Sequence, residues 1–259
     1  MLITVRDYQE VAQRVNALLL QGGVTNGLPD RDRLEREIAQ GTLVMQEDER
    51  GLLLLRKREK WDHLSFFLRK GQSLCGWKPE RSTVVELPFR REGDPMGTPA
   101  EELREMGFRL ILRRCRYTRK GRADITYPER DAANSDESYR LLCSSFSPLT
   151  GCLPSREEWD ALRKDRQILS VCGGVLHYDR KGKTTELRHL AVAEECRGQG
   201  VGRALVGAYL NRCGAELSRV WTGEDNEAAR RLYESFGYEK DGWTSRVYYF
   251  DMDKKDNKL

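Results

Sequence analysis

Between Leu190 and Leu205 the chain runs from an apolar strand through Arg197-Gly198-Gln199-Gly200-Val201-Gly202 directly into a helix. Few folds accommodate that order. Glycines at 198, 200 and 202 remove Cβ atoms, so backbone N–H groups can come close to a phosphate. The helix beginning near Gly202 aims the positive end of its dipole at the same place. Arg197 and Arg203 add formal charge. Two other phosphate loops fit this segment less well. A dinucleotide-binding turn places its third glycine three residues after the second; here it falls two residues after Gly200, although Glu216 stands near the distance of the usual ribose-binding acid. A P-loop requires Gly-Lys-Ser/Thr, which is absent.

The rest of the chain reads as alternating helices and strands. Tyr8, Val11, Val15, Leu18 and Leu19 repeat at helical spacing, and Gln21-Gly22-Gly23 ends that helix. A second helix is expected over 30–39, then strands at 42–46, 51–57, 64–68 and 83–89, a helix at 98–106 and a strand at 108–117. The second half repeats the order, with helices at 135–146 and 155–166. Ser155 and Glu158 form a capping box for the latter. Strands follow at 168–171, 174–178 and 184–193, a helix at 202–213, a strand at 219–222, a helix at 226–236, a strand at 245–250 and a charged tail. This shared order suggests an internal duplication, with a boundary in the polar stretch Arg119–Arg122.

Composition excludes several classes. The 259 residues are too apolar for a disordered chain, and apolar runs such as Leu52–Leu55 are far too short to span a membrane. The amino end lacks the apolar stretch of a secretion signal. The net charge of +4 is weak, and its excess lies in residues 1–120. Basic residues there alternate with acids, which argues against a nucleic-acid tract. Seven cysteines without a C-x-x-C pair, and three scattered histidines, give no metal-ligand spacing. They suit a cytoplasmic protein with reduced thiols.

A second motif, Asn226-Glu227-Ala228-Ala229-Arg230-Arg231-Leu232-Tyr233-Glu234-Ser235-Phe236-Gly237-Tyr238, follows the loop by about 25–30 residues. Together the two resemble the GNAT superfamily of N-acetyltransferases. Arg197 to Gly202 matches its Q/R-x-x-G-x-G/A coenzyme A loop. The later segment matches its N-x-x-A-x-x-L-Y-x-x-x-G-F/Y signature, with Tyr238 in place of the commoner Phe. The resemblance covers roughly 135–250. Residues 100–108 resemble the end of the second signature without its Asn and Tyr. The stretch 70–79, where a loop should stand, has no Arg-x-x-Gly-x-Gly, and Pro79 opposes a following helix.

The resemblance implies an α/β (α+β) fold of two tandem GNAT-like domains, each a mixed, mostly antiparallel sheet flanked by helices. Residues 1–120 would be a degenerate copy and 121–259 the catalytic domain. It implies transfer of an acetyl group from acetyl-coenzyme A to a primary amine of a small molecule, amino acid or peptide, without a metal. Alternatives are a longer acyl-coenzyme A or acyl-carrier donor, or a non-catalytic coenzyme A sensor or scaffold. By family position, Leu190, Ala191 and Val192 meet the pantetheine arm with main-chain groups. Arg197, Gly198, Gln199, Gly200, Val201, Gly202, Arg203 and Ala204 form the pyrophosphate cradle. Tyr233 stands at the general-acid position and borders the cofactor. Asn226 either caps its helix or bonds the pantetheine. Glu186, raised in pKa by burial, is the candidate base. His189 is the alternative, on the opposite face of the strand unless a bulge intervenes. His177 reads as a packed strand residue. Expected partners are the amine acceptor and, for the chain itself, a monomer with an internal pseudo-dimer or a homodimer, with no nucleic acid and no membrane.

Overall fold

A computed structural model describes residues 2–90, 97–122 and 135–254. The chain forms two compact units, residues 1–113 with 243–259 and residues 114–242. Among the described residues no helix is long and apolar enough to cross a membrane.

The first unit contains β1 (Ile3–Thr4), α1 (Tyr8–Leu20), β2 (Val24–Thr25), α2 (Arg31–Ala39), β3 (Leu43–Asp48), β4 (Gly51–Lys57), β5 (Asp62–Leu68), β6 (Thr83–Phe89) and α3 (Gly97–Glu105). β7 (Arg109–Lys120) begins in the first unit and ends in the second. The second unit continues with α4 (Ser135–Ser145), α5 (Pro148–Gly151), α6 (Arg156–Lys164), β8 (Ile168–Val171), β9 (Gly174–Lys181), β10 (Thr184–Val192), α7 (Val201–Cys213), β11 (Leu217–Gly223) and α8 (Glu227–Glu234). β12 (Glu239–Phe250) returns the chain to the first unit at Trp243.

The two units repeat one plan, and the helix-helix-strand-strand-strand order read from the sequence is present in both. The strands of the sheet fall into two runs, β1-β3-β4-β5-β6-β12 through the first unit and β7-β11-β10-β9-β8 through the second. Each is antiparallel except for one parallel pair, β5 with β6 and β10 with β11. The end strands are exchanged in sequence: the last strand of the chain pairs with β6, and β7 pairs with β11. Compactness therefore divides the chain at other points than the 120/121 boundary expected from the sequence. Helices end where the sequence supplies caps. Asp7, Asp30 and Ser155 accept N–H bonds at the starts of α1, α2 and α6, and the Ser155/Glu158 capping box is complete.

In each unit the parallel pair is short and then forks. β5 and β6 pair only from Asp62/Thr83 to Leu64/Val85. β10 and β11 pair only from Thr184/Leu217 to Leu187/Val220. The fork of the first unit is closed by its own chain. β2 pairs with β5 at Val24/Leu68 and Thr25/Phe67. Asn26, 8% exposed, then reaches both strands. Its Nδ2 donates to the carbonyls of Leu64 (3.1 Å) and Glu86 (3.0 Å), and Phe66 N donates to its Oδ1 (2.8 Å). Gly23 permits this approach, because a Cβ there would lie 2.6 Å from the Leu68 carbonyl oxygen. The fork of the second unit has no such insert among the described residues. The units differ in a second respect. Residues 69–82, between β5 and β6, hold turns but no helix, whereas α7 stands at that place in the second unit.

Candidate active site

The glycine loop lies at the exit of β10, after a short 3-10 turn at Glu194–Cys196. Gly198 and Gly200 adopt φ of 75° and 80°, a region that L side chains enter at a cost. A Cβ on either would meet nothing within 4 Å, so both face open space. Gly200 is the N-cap of α7, which starts at Val201, one residue earlier than the sequence suggested. Unlike α1, α2, α6 and α8, α7 receives no side-chain cap. Its first N–H groups, at Val201, Gly202 and Arg203, have no intrahelical partners and point at the loop. Gly202 acts differently from the other two: a Cβ there would make ordinary contact with Leu232 (3.4 Å) and Val192 (3.7 Å). Arg197 Nε donates to the Val192 carbonyl (3.3 Å) and Gln199 Nε2 to that of Glu195 (2.7 Å), tying the loop to the strand end. Arg203 turns toward α8, with Nη2 on Ser235 Oγ (3.0 Å) and its guanidinium over Phe236. Ala204 N is already within the helix, bonded to the Gly200 carbonyl.

The fork leads into this cradle. Past Leu187 the edge of β10 toward β11 is unpaired through Leu190, Ala191 and Val192. A bulge at Arg188 shifts the register against β9, so that Leu187 faces Tyr178 and His189 faces His177. The extra residue exchanges the faces of the strand. Leu187 packs in the core under α7 and α8, whereas Ala191 packs with Leu142 and Trp159 under α4 and α6. His189 therefore shares a face with Glu186, the arrangement that required a bulge.

On that face five side chains form one connected polar group. Glu186 Oε1 accepts from Arg188 Nη1 (2.6 Å), and Arg188 Nε lies 3.5 Å from Asp179. Asp179 lies 3.4 Å from His177 Nε2, and the two histidine Nδ1 atoms are 3.0 Å apart. His189 Nε2 donates to the Gly151 carbonyl (2.6 Å). A carbonyl only accepts, so Nε2 carries the His189 proton and Nδ1 receives that of His177. Both ring nitrogens are thus engaged, which leaves His189 no lone pair for a substrate. Glu186 is ion-paired rather than isolated in an apolar pocket, and its Oε2 has no partner among the described residues. Arg188 and Asp179 were not singled out in the sequence, and His177, read there as a packed strand residue, is buried but belongs to this polar group. The tight β9–β10 turn was the available signal, since it sets Asp179 opposite Glu186.

Burial opposes charge on Asp179, but the adjacent His177 and the Arg188 charge outweigh it and hold the carboxyl below its usual range. Burial, with His177 beside it, lowers His189 to about 3. In the first unit burial and then the charge of Arg56 push His63 well below its usual value. Both histidines are neutral when folded and free to protonate when unfolded. Their contribution is complete above about pH 6.5 and is lost as pH falls toward the folded values. For His189 the loss is on the order of 2 kcal/mol at pH 5. Urea midpoints between pH 8 and 5 should fall more steeply in the wild-type protein than in His189→Gln.

Tyr233 lies in the last turn of α8 and is 4% exposed. Burial raises its pKa, and its hydroxyl has no hydrogen-bond partner among the described residues. The neighbouring buried hydroxyls are spoken for: Tyr209 bonds Thr185 (2.6 Å) and Ser218 (2.7 Å), and Ser218 bonds Tyr238. Asn226 Oδ1 accepts from Ala229 N (3.1 Å), so it caps α8.

Residues 123–238 match the model of the acetyltransferase (GNAT) family. This segment is a GNAT domain. The GNAT fold extends over nearly the whole chain. A GCN5-related N-acetyltransferase from Sphaerobacter thermophilus is similar over 96% of this chain and 95% of its own, with a TM-score of 0.59 at 15% identity. A tandem GNAT protein from the clavulanic acid biosynthesis pathway matches over 96% and 98%, with a TM-score of 0.60 at 12% identity. A GNAT-family acetyltransferase from Colwellia psychrerythraea matches over 96% and 98%, with a TM-score of 0.56 at 11% identity. In sequence, a Mycobacterium leprae protein described as uncharacterized is 40% identical over 63 residues, 24% of this chain. The chain spans only 18% of that relative's length. The GNAT domain coincides with the unit that has the open fork, the uncapped helix and Tyr233.

Proposed function

We propose that this chain transfers an acetyl group from acetyl-coenzyme A to a primary amine of a small molecule, amino acid or peptide. The observation that carries the reading is the open fork of β10 and β11 running into an uncapped, glycine-lined helix start within the GNAT domain. The residues present fit coenzyme A. N–H groups of Val201–Arg203 and the Gly198–Gly200 loop are placed to hold a pyrophosphate, and the free edge at Leu190–Val192 can pair with an extended amide arm. When bound, acetyl-coenzyme A supplies the activated acetyl group. The N–H groups of the splayed β10 edge are donors for the thioester oxygen as it gains charge. Glu186 Oε2 takes the amine proton directly or through water, while Arg188 fixes the other oxygen. The unpartnered Tyr233 hydroxyl returns a proton to the leaving sulfur. The chain's seven free thiols support a reducing, cytoplasmic setting.

A thiol-release assay of acyl-coenzyme A donors against an amine panel tests this. Glu186→Gln and Tyr233→Phe should each lower kcat by about 10²-fold or more while coenzyme A still binds. Tight coenzyme A binding with no donor consumed by any amine would defeat the reading and leave a sensor or scaffold. Preference for a long acyl chain over acetyl would change the donor.

A further inference from the structure

We propose that the acceptor carries an anionic group, a carboxylate or a phosphate, and that Arg219 binds it beside Glu186. The inference rests on the acyl-transfer reading for the identity of the amine-bearing substrate, but the anion site stands on separate observations.

Alternation on β11 puts Ser218, Val220 and Thr222 toward the α7/α8 core and Arg219 and Trp221 on the other face, with Glu186. Arg219 is in register with Glu186 on one side and Thr118 on the other. Adjacent strands lie about 4.8 Å apart, so Glu186 is the natural counter-charge. Glu186 is instead held by Arg188. The carboxylate beyond Thr118 is also committed: Asp241 accepts from Arg116 Nε (2.7 Å) and Thr118 Oγ1 (2.6 Å). Arg219 has no ion pair among the described residues, and its Nε is buried without a hydrogen-bond partner. Trp221, its neighbour on the face, offers only a ring, over which Arg116 lies.

A half-buried guanidinium with an orphaned N–H is costly to maintain unless something supplies the missing acceptor. The fork of a guanidinium matches the paired oxygens of carboxylate and phosphate. The neighbouring carboxylates, Glu186 and Asp241, are tied to Arg188 and Arg116 rather than to Arg219. The geometry thus places an anion receptor one strand away from the proposed base. An acceptor using both would carry its anion a few bonds from the reacting amine, as amino acids and small amino phosphates do.

The test uses the full chain with saturating acetyl-coenzyme A and matched acceptors. An amino acid is compared with its carboxamide, and O-phosphoethanolamine with ethanolamine. The anionic member of at least one pair should show a kcat/KM about 30-fold higher or more, and the pair that does so identifies the anion. Arg219→Met should collapse that ratio to within about threefold, and Arg219→Lys should restore part of it. A wild-type ratio near one, or an unchanged ratio in Arg219→Met, overturns the proposal and leaves acyl transfer standing. No turnover with any amine defeats acyl transfer itself. A second arm then decides Arg219 alone: calorimetry of an N-acetylated amino acid and its amide with coenzyme A present. Selective binding of the acid, lost in Arg219→Met, supports the anion site; equal binding, or none, overturns it.

Discussion

Replacing Gly200 by glutamate should lower coenzyme A affinity by at least about 100-fold while leaving the domain folded. The effect follows from where the new side chain goes. A Cβ at Gly200 meets nothing within 4 Å, so the carboxylate enters the open space in front of α7. That space is where the uncapped N–H groups of Val201–Arg203 point and where a pyrophosphate would sit. A fixed negative charge there both occupies the donors and repels the phosphates. The cost to folding is limited. The φ of 80° is unfavourable for an L residue by about 1–2 kcal/mol. A carboxylate at a helix N-terminus recovers part of this. Isothermal titration with coenzyme A and the thermal midpoint separate the two effects. Gly202→Ala is the contrasting variant, because its Cβ would make only ordinary contacts, and its affinity should fall far less. Unchanged affinity in Gly200→Glu would move the pyrophosphate away from this loop.

The loop and the helices were legible because their signals are local. Glycine spacing, the Ser155–Glu158 capping box and the apolar repeat of α1 are each contained in one short stretch of chain. Residue order alone starts the helix after the loop at Gly202, one residue late, because Gly200 caps it in a left-handed conformation that the order does not specify. The polar group around Glu186 was partly hidden. Strand alternation alone sets His189 apart from Glu186, and the reversal depends on the Arg188 bulge, which is fixed by pairing with β9 rather than by a turn residue. Asn226 could be read either as a cap or as a ligand contact, because its Oδ1 suits both; the bond to Ala229 is the structure's information. The least legible feature was β2. Val24-Thr25-Asn26 lies in a glycine-rich stretch that reads as a loop, and only its partners on β5 and β6, about 40 and 60 residues on, make it part of a sheet.

On the acyl-transfer reading, that insert gives a physical reason for one coenzyme A site per chain rather than two. A forked parallel pair leaves strand-edge N–H and C=O groups facing a gap, and buried groups of this kind need partners. In the second unit no insert fills the gap among the described residues. In the first, Asn26 supplies a donor pair to Leu64 and Glu86 and an acceptor to Phe66 N, as the amide of an inserted arm would. The missing helix between β5 and β6 removes the anion cradle as well, so sealing the fork and losing the helix are separate changes.

Asn26→Ala should therefore be strongly destabilising although it removes few atoms. Two carbonyls and one amide lose their partners in a buried place, at about 1–3 kcal/mol each before relaxation or water entry. A net loss near 3 kcal/mol would lower the thermal midpoint by roughly 6–12 °C. Asn26→Asp distinguishes lost hydrogen bonds from lost volume. The carboxylate matches Asn in size and can still accept from Phe66 N, but it faces the Leu64 and Glu86 carbonyls without a proton to donate. It should be less stable than Asn26→Ala at pH 7. The deficit should shrink as pH falls, because burial among carbonyls raises the folded pKa of such a group above its unfolded value, and the protonated form can donate again. Chemical denaturation of the three proteins at pH 7 and pH 5 measures this. An Asp variant as stable as wild type would show that the fork is held by packing of β2 alone. Neither variant should take up a second equivalent of coenzyme A, because residues 69–82 offer no helix start to receive the pyrophosphate; a stoichiometry of two would refute that assignment.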